Sequence, residues 1–395
     1  MSTHRLYYTD STLTQFEATV VSSSGDAGRA EVTLDQTAFY PSSGGQPYDT
    51  GTLGDRRVID VIDRDDGEIV HVVEEALEVG ARVRGVVDWP RRFDHMQQHT
   101  GQHILSAAFD RLFRVRTVSF HLGAETATID LAREVTTKEV AAAELAANHI
   151  VWQDRELRVQ FASEEEASRM PLRKEPSRTG MLRLVEVPEF DVSACGGTHV
   201  PRTGMIGVIA VVATERFKGA TRLTFVCGER ALKSHGRLRD VVSSLTRVIS
   251  VAPAELPPAV ERLQADVKEL GRTIRQQQEA LAGYRASDLR AGAAILEGFR
   301  LVIYEERGAD AQALKTLASA VVTESGFVVV LVGDGQPVPV VVARANGVPF
   351  DAAAWLKEAI GVLGGRGGGR PELAQGGLTA PAERVLALAR ETIGR

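Results

Sequence analysis

The spacing of apolar positions changes character along the chain, and each change predicts a different unit. Between residues 15 and 87, short apolar stretches alternate with turn residues: Phe16 to Val21, Ala30 to Leu34, Val58 to Ile62 and Ile69 to Val73. These predict the strands of a small β-rich, barrel-like domain over residues 1–88. Inside it, Phe39 to Pro47 is a loop by its Pro, Ser and Gly content. A helix follows Pro90 with Phe93, Met96, His103, Ile104, Ala107 and Ala108, ending near Phe113. Strands at Thr117–Leu122 and Thr126–Leu131, a helix at Thr137–Trp152, and strands at Leu157–Phe161 and Leu182–Val187 come next. A loop over Asp191–Gly204 and strands at Ile206–Ala213 and Thr221–Cys227 complete an α+β domain over residues 89–230.

A helix is predicted from Leu232 to Ile249. Beyond Pro253, Pro257 and Pro258, apolar positions fall at spacings of three and four: Val260, Leu263, Val267, Leu270, Ile274, Leu281 and Tyr284, with Gln277 keeping the register. This is a heptad seam, so residues 231–296 are expected to form a helical stalk or dimer seam; a helix packed on its own domain is the alternative. Residues 297–395 alternate strand and helix as a small α/β domain, interrupted by Gly364 to Pro371, which reads as a flexible basic loop. The fold class is therefore α+β, in four parts.

Composition narrows the setting. With 395 residues the chain is too long for one ordinary core. The net charge of -6 argues against a uniformly basic coat for nucleic acid, yet leaves room for local basic patches. Two cysteines, Cys195 and Cys227, make a disulfide scaffold improbable and fit a reducing, cytoplasmic setting. No apolar run reaches about 18 residues, so no membrane helix is expected. The first residues lack the apolar core of a signal peptide.

The candidate chemistry lies in two short segments. His99 and His103 are four apart, which on a helix puts both rings on one face. Alone, such a pair is weak evidence. Cys195-Gly196-Gly197-Thr198-His199 adds a thiol and a third imidazole across a diglycine, whose small residues let the chain turn tightly. One Cys with three His is a normal tetrahedral zinc set. His95 could present a further nitrogen on the same face, but a polar or RNA-contacting residue near the helix start is the preferred reading.

At these residues the sequence resembles a known family. His99-Thr100-Gly101-Gln102-His103 and Cys195-Gly196-Gly197-Thr198-His199 are similar to the paired metal motifs of alanyl-tRNA synthetase editing domains. Leu34 through Gln46, with Asp49 and Gly51, resembles the loop that precedes them in that family. The glycine-rich tail with Pro371-Glu372 is similar to the DHH-associated domain. The combination resembles the long form of the free-standing AlaX trans-editing proteins. The threonyl-tRNA synthetase editing domain shares the metal motifs but not the Phe39–Gln46 loop or the tail. No segment ahead of the editing region is expected to hold an aminoacylation domain, so alanine activation and ATP use are not expected.

The resemblance implies hydrolysis of serine or glycine from mischarged tRNA(Ala), with one zinc held by His99, His103, Cys195 and His199. A pocket for alanine separates glycine and serine by only about 10²-fold, so a second, hydrolytic sieve is useful. That sieve must spare alanine, and a polar group bonding the serine hydroxyl would do so. By resemblance Thr37 takes this role, with Gln46 nearby, and serine should be cleared better than glycine. Four protein ligands form a closed set, the pattern of a structural site, whereas a catalytic metal keeps a position open. Whether the metal activates water, polarises the carbonyl or positions the substrate stays open at the level of sequence. Arg173, Lys174, Arg178 and Arg183 before the cysteine loop, and Arg202, Arg216, Lys218 and Arg222 after it, are candidates to line the acceptor stem. Arg366 and Arg370 are candidates to meet phosphates, and the heptad helix to pair two copies. A threonyl-type deacylase and a non-catalytic zinc-folded tRNA-binding module are the alternatives.

Overall fold

The short apolar runs near the N-terminus are the inward faces of a closed barrel. Its strands are β1 (Gln15–Asp26), β2 (Arg29–Leu34), β3 (Gly51–Leu53), β4 (Arg56–Asp63), β5 (Ile69–Val73) and β6 (Arg82–Val87), in the order β1-β2-β5-β4-β3-β6. Pairing of β6 back onto β1 closes the ring, which removes the exposed edges an open sheet would leave. Phe16, Val20, Val32, Phe39, Val58 and Val73 fill its core. This computed structural model describes residues 3–26, 28–174 and 180–394. The chain divides into two units, Met1–Ser244 and Leu245–Arg395.

Helix α1 (Trp89–Phe113) is the spine of the first unit. Pro90 sits in its first turn, where a missing N–H costs nothing. Every residue from His95 to Phe109 is buried. A helix buried all round must satisfy its polar side chains internally. Gln98 does so by accepting from the Cys227 N–H (2.8 Å), and Gln97 by donating to the Met205 carbonyl (2.9 Å). Around α1 lie β7 (Thr117–Leu122), β8 (Ala127–Leu131) and α2 (Thr137–Trp152), followed by β9 (Arg158–Ala162), β10 (Leu182–Val187) and β11 (Asp191–Ala194). The first unit ends with β12 (Ile209–Phe217), β13 (Ala220–Cys227) and the start of α3 (Gly228–Ile249). They build a sheet ordered β12-β13-β8-β7 and a smaller one ordered β9-β10-β11. Thr136 caps α2 in a reciprocal box with Glu139.

Two local expectations change here. Asp191–Gly204 is not wholly loop, because Asp191–Ala194 pairs with β10. The strand expected at Ile206–Ala213 begins at Ile209, after a 3-10 turn over Thr203–Ile206.

In the second unit, α4 (Leu256–Ala291) leads to β14 (Ala294–Leu296), β15 (Phe299–Glu305), α5 (Ala311–Val321), β16 (Phe327–Val332), β17 (Val338–Arg344), α6 (Ala352–Leu363), β18 (Gly365–Arg370), β19 (Leu373–Leu378) and α7 (Ala382–Ile393). The strands form one sheet, ordered β14-β15-β16-β17-β19-β18. β16 is apolar at all its positions because both faces are covered. Val328, Val330 and Val332 pack with α6 and α7, and Phe327, Val329 and Leu331 with α5 and the end of α4. Along the rest of α4 the heptad positions Leu263, Val267, Leu270 and Ile274 are exposed.

The glycine-rich tail departs from expectation. Gly365–Arg370 is a strand paired with β19, not a flexible loop. A Cβ on Gly367 would come within 2.6 Å of the Gly376 Cα, and one on Gly369 within 2.3 Å of the Leu373 carbonyl. Here glycine serves close packing of two strands rather than freedom. Among the described residues, no helix is long and apolar enough to cross a membrane.

Candidate functional site

Burial of α1 decides what its histidines can do. His99 and His103 project from one face, with ring centroids 5.2 Å apart. The loop after β11 brings His199 against them, at 4.5 Å from His99 and 4.8 Å from His103. The Cys195 thiol lies 3.4 Å from His99 Nε2 and 3.3 Å from His199 Nε2. The four ligand atoms all fall within 4.8 Å of one another. Tetrahedral bonds of about 2.0–2.3 Å put neighbouring N and S donors about 3.3–3.6 Å apart, so the two thiol distances already suit a metal ion at the centre.

The hydrogen bonds behind the rings fix how they face. Gln46 Oε1 accepts the Thr198 N–H at 3.1 Å, which identifies it as the carbonyl end, so His99 Nδ1, 2.8 Å away, is the donor to it. His103 Nδ1 donates to the Asp191 carboxylate at 3.3 Å. The Thr100 hydroxyl gives its proton to the Met96 carbonyl (2.8 Å), so its oxygen accepts from His199 Nδ1 at 3.2 Å. Each imidazole thus holds a proton on Nδ1 and turns its Nε2 inward. This outer ring of acceptors is what orients metal-binding histidines.

Remote segments supply the ring. Buried Arg92 of α1 grips Asp49, with Nε 3.1 and 3.0 Å from the two carboxylate oxygens. Asp49 in turn accepts the Tyr40 N–H at 2.7 Å, fixing the loop that carries Gln46. Arg173 holds Asp191 at 2.7 Å and Ser193 at 3.1 Å. Gly197 has no alternative, since a Cβ there would lie 2.1 Å from His99 Cε1.

The charges suit a cation. Burial works against the Cys195 thiolate, but the three neighbouring imidazoles hold the thiol well below its ordinary range. Burial pushes His199 down to about 3, keeping it neutral. His103 moves the other way: burial opposes its charge, but Cys195 and Asp191 outweigh that and raise it to about 9. A cation at the centre would take the place of that imidazolium proton and pair with the same thiolate.

The site opens on one side. His99, His103 and Cys195 line a cleft of about 710 Å³, together with Tyr8, Gln102 and Arg183. That is within the size range of small-ligand sites. Arg183 pins the metal loop, donating to the carbonyls of Cys195 (2.7 Å) and Gly197 (3.0 Å).

Known proteins resemble this chain over most of its length. The family described as "Threonyl and Alanyl tRNA synthetase second additional domain" matches residues 182–224, "tRNA synthetases class II (A)" residues 3–91, and "DHHA1 domain" residues 298–395. The "Alanyl-tRNA editing protein AlaX-L" of Pyrococcus horikoshii is 32% identical over 98% of this chain and 98% of its own length. The chain belongs to the AlaX-L family of alanyl-tRNA editing proteins. The alanine–tRNA ligase of Pyrococcus abyssi is 33% identical and that of Natronomonas pharaonis 34%, each over 95% of this chain. The chain spans 42% of the length of either ligase.

Within this AlaX-L family member, other predicted residues take different places. Thr37 is fully buried in the barrel and is absent from the cleft lining. His71 Nδ1 donates to the Val32 carbonyl (3.2 Å), so its Nε2 accepts the Thr37 hydroxyl proton at 2.8 Å, while the Thr37 oxygen accepts the Phe39 N–H at 3.1 Å. In this structure the Thr37 hydroxyl is therefore committed to the barrel. Gln46 sits behind His99 as its orienting acceptor rather than at the cleft wall. Arg173 is committed to Asp191, while Lys174 is exposed at the cleft. Arg202, Arg216 and Arg222 are paired with Asp154, Glu134 and Asp130. Arg178 lies outside the described residues. Arg366 and Arg370 are exposed on the edge strand β18. His95 is buried and stands apart from the metal group.

Sequence reasoning passed over Thr100, Asp191 and Arg92. Thr100 carried a signal, lying inside the histidine motif. Asp191 stands four residues before Cys195, a spacing that means nothing until β11 turns it inward.

Proposed function

We propose that the chain is a zinc-dependent trans-editing hydrolase that removes serine, and glycine less well, from mischarged tRNA(Ala) while sparing Ala-tRNA(Ala). The observation that carries this is the convergence of His99, His103, Cys195 and His199 on one centre, three of them lining the cleft and each imidazole with its Nδ1 already held. A ring of neutral Nε2 donors and one thiolate suits zinc, and a relative matched along its whole length is named an editing protein. When bound, zinc supplies a Lewis-acidic charge beside the ester. The chain's own residues do the rest. The cleft holds the aminoacylated 3′ end, Arg183 keeps the metal loop in place, and Lys174 adds positive charge where the RNA enters.

The same reading assigns residues 1–88 and 89–230 to the editing portion, 231–296 to a stalk and 297–395 to a DHH-associated domain. The exposed seam of α4 pairs two copies, and Arg366 and Arg370 grip the tRNA body. Purified protein should release serine from Ser-tRNA(Ala), stop after chelation and resume with added zinc. Release that survives complete removal of metal would separate the site from the chemistry. Binding of tRNA without any release would make the chain a zinc-folded binding module.

A further inference from the structure

Three large apolar side chains of the cleft stand open to solvent. Val118 of β7 is 57% exposed, Phe161 of β9 48%, and Met181, one residue before β10, 70%; all three line the cleft. The strand β9 explains the direction of Phe161. Successive side chains of a strand point to opposite faces. Ala162 is buried in a small core with Ala167, Leu182 and Leu184, so Phe161 points the other way, into the cleft. The register sets Phe161 directly opposite Arg183, and residues so opposed share a face. The same Arg183 donates to the carbonyls of Cys195 and Gly197. Phe161 therefore stands beside the side chain that holds the metal loop. Of the other rings lining the cleft, Tyr7 and Tyr40 are buried, Tyr8 is 5.5 Å from the guanidinium of both Arg5 and Arg183, and Phe120 packs against His99 at 5.8 Å. Among the described cleft residues, Phe161 presents the most exposed ring.

Exposed apolar side chains grouped at a groove mark a place where something binds. The position of this group says what. On the deacylase reading above, on which this inference rests, the ester lies at the metal group. A 3′ ester is attached to a ribose and the ribose to a base, so a flat aromatic surface must sit one sugar away from the reacting carbonyl. Lys174, exposed at the same cleft, suits the phosphates of the RNA that carries it. Unpaired bases, such as the last one of a tRNA, are bound by stacking on aromatic side chains. We propose that the 3′-terminal base of the aminoacylated tRNA stacks on Phe161, on an apolar rim completed by Val118 and Met181. Stacking uses the face that every base has, so this platform holds the end of the tRNA without reading which base it is.

The test couples the base to the ring. Seryl-3′-amino-3′-deoxyadenosine carries an amide in place of the ester and is not cleaved; its partner compound carries the same amide on a ribose without a base. The zinc-loaded full chain should bind the adenosine compound at least about tenfold tighter than the base-free one. Phe161→Ala should bring that ratio near one while base-free affinity and zinc content stay unchanged, and Phe161→Trp should restore it. For Ser-tRNA(Ala), Phe161→Ala should raise KM and leave kcat as in wild type, the mark of lost binding that is equal in ground and transition states. A wild-type ratio of one overturns the proposal, as does equal weakening of both compounds by Phe161→Ala at full zinc content. A ratio that Phe161→Ala does not move also overturns it, and a change of mass in solution with that variant then assigns the rim to a second copy of the chain. If Phe161→Ala does not fold, Phe161→Leu, which keeps bulk and loses the ring, reads the same ratio. Wild-type protein that binds the adenosine compound but cleaves no tRNA ester defeats the deacylase reading alone, and the binding ratio still judges Phe161.

Discussion

Two buried histidine settings in the first unit differ in one respect that decides their use. In the barrel, His71 has both ring nitrogens occupied, Nδ1 by the Val32 carbonyl and Nε2 by the Thr37 hydroxyl. At the metal group, His99, His103 and His199 each have Nδ1 occupied and Nε2 turned toward a shared centre. Burial alone does not mark a ligand; a buried ring with one nitrogen tethered and the other unclaimed by a carbonyl or hydroxyl does. The largest effect should come from breaking the cleft side. Cys195→Ala removes the one thiolate among the donors. It should abolish zinc binding, read by metal analysis, and lower Ser-tRNA(Ala) deacylation by at least about 10³-fold, the scale of losing a metal's charge stabilisation. Full activity in a zinc-free variant would remove the metal from the reaction.

A smaller change should come from loosening one tether while keeping every ligand. Asp191→Asn retains an acceptor for His103 Nδ1 but removes the charge that faces it. Outer partners of this kind are worth about 10–100-fold in metal affinity or activity. A zinc competition titration should find a drop in that range, with the fold intact by circular dichroism. An affinity equal to wild type would mean that Arg173 and Ser193, not the carboxylate charge, keep the ring in place.

His71 tests the opposite case through stability rather than metal. Burial pushes its pKa from 6.5 down to about 4. The folded state therefore keeps the ring neutral while the unfolded chain protonates it, so unfolding takes up a proton between these two values. This part of the stability is intact above pH 6.5, declines as the pH falls, and is fully lost below about pH 4. The span corresponds to about 3 kcal/mol. His71→Gln can mimic both hydrogen bonds and cannot titrate. Urea unfolding at pH 7 and pH 4.5 should find a steeper acid loss in wild type than in this variant. Parallel losses would mean that the ring is already charged in the fold.

The contrast also explains how much could be read from sequence. The spacing of His99 and His103, with Cys195 and His199, was visible because ligands recur at helical and tight-turn intervals. The tethers were not visible: Gln46, Asp191 and Arg92 act across 53, 88 and 43 residues, and only the packed fold brings them in. Composition misled at Gly365–Arg370, where glycines that look like freedom are demanded by two strands lying too close for a Cβ. The barrel strands were legible because alternation follows directly from an inward and an outward face. The heptad of α4 was legible as a pattern, yet within the chain its apolar positions remain exposed. A heptad stripe cannot be buried by the helix that carries it.

Thr37 gives the finest test, because sequence and structure assign it different work. As the reader of serine it would have to give its hydroxyl to a substrate; in the structure that hydroxyl belongs to His71. Thr37→Val keeps the shape and removes only the oxygen. It leaves His71 Nε2 without its donor and the Phe39 N–H without its acceptor. Orphaning a buried polar group costs about 1–3 kcal/mol, so the variant should unfold at lower urea. The ratio of serine to glycine release should stay as in wild type. A variant of unchanged stability that clears serine no better than glycine would return the reading role to Thr37, and would require the barrel loop to open when the substrate binds.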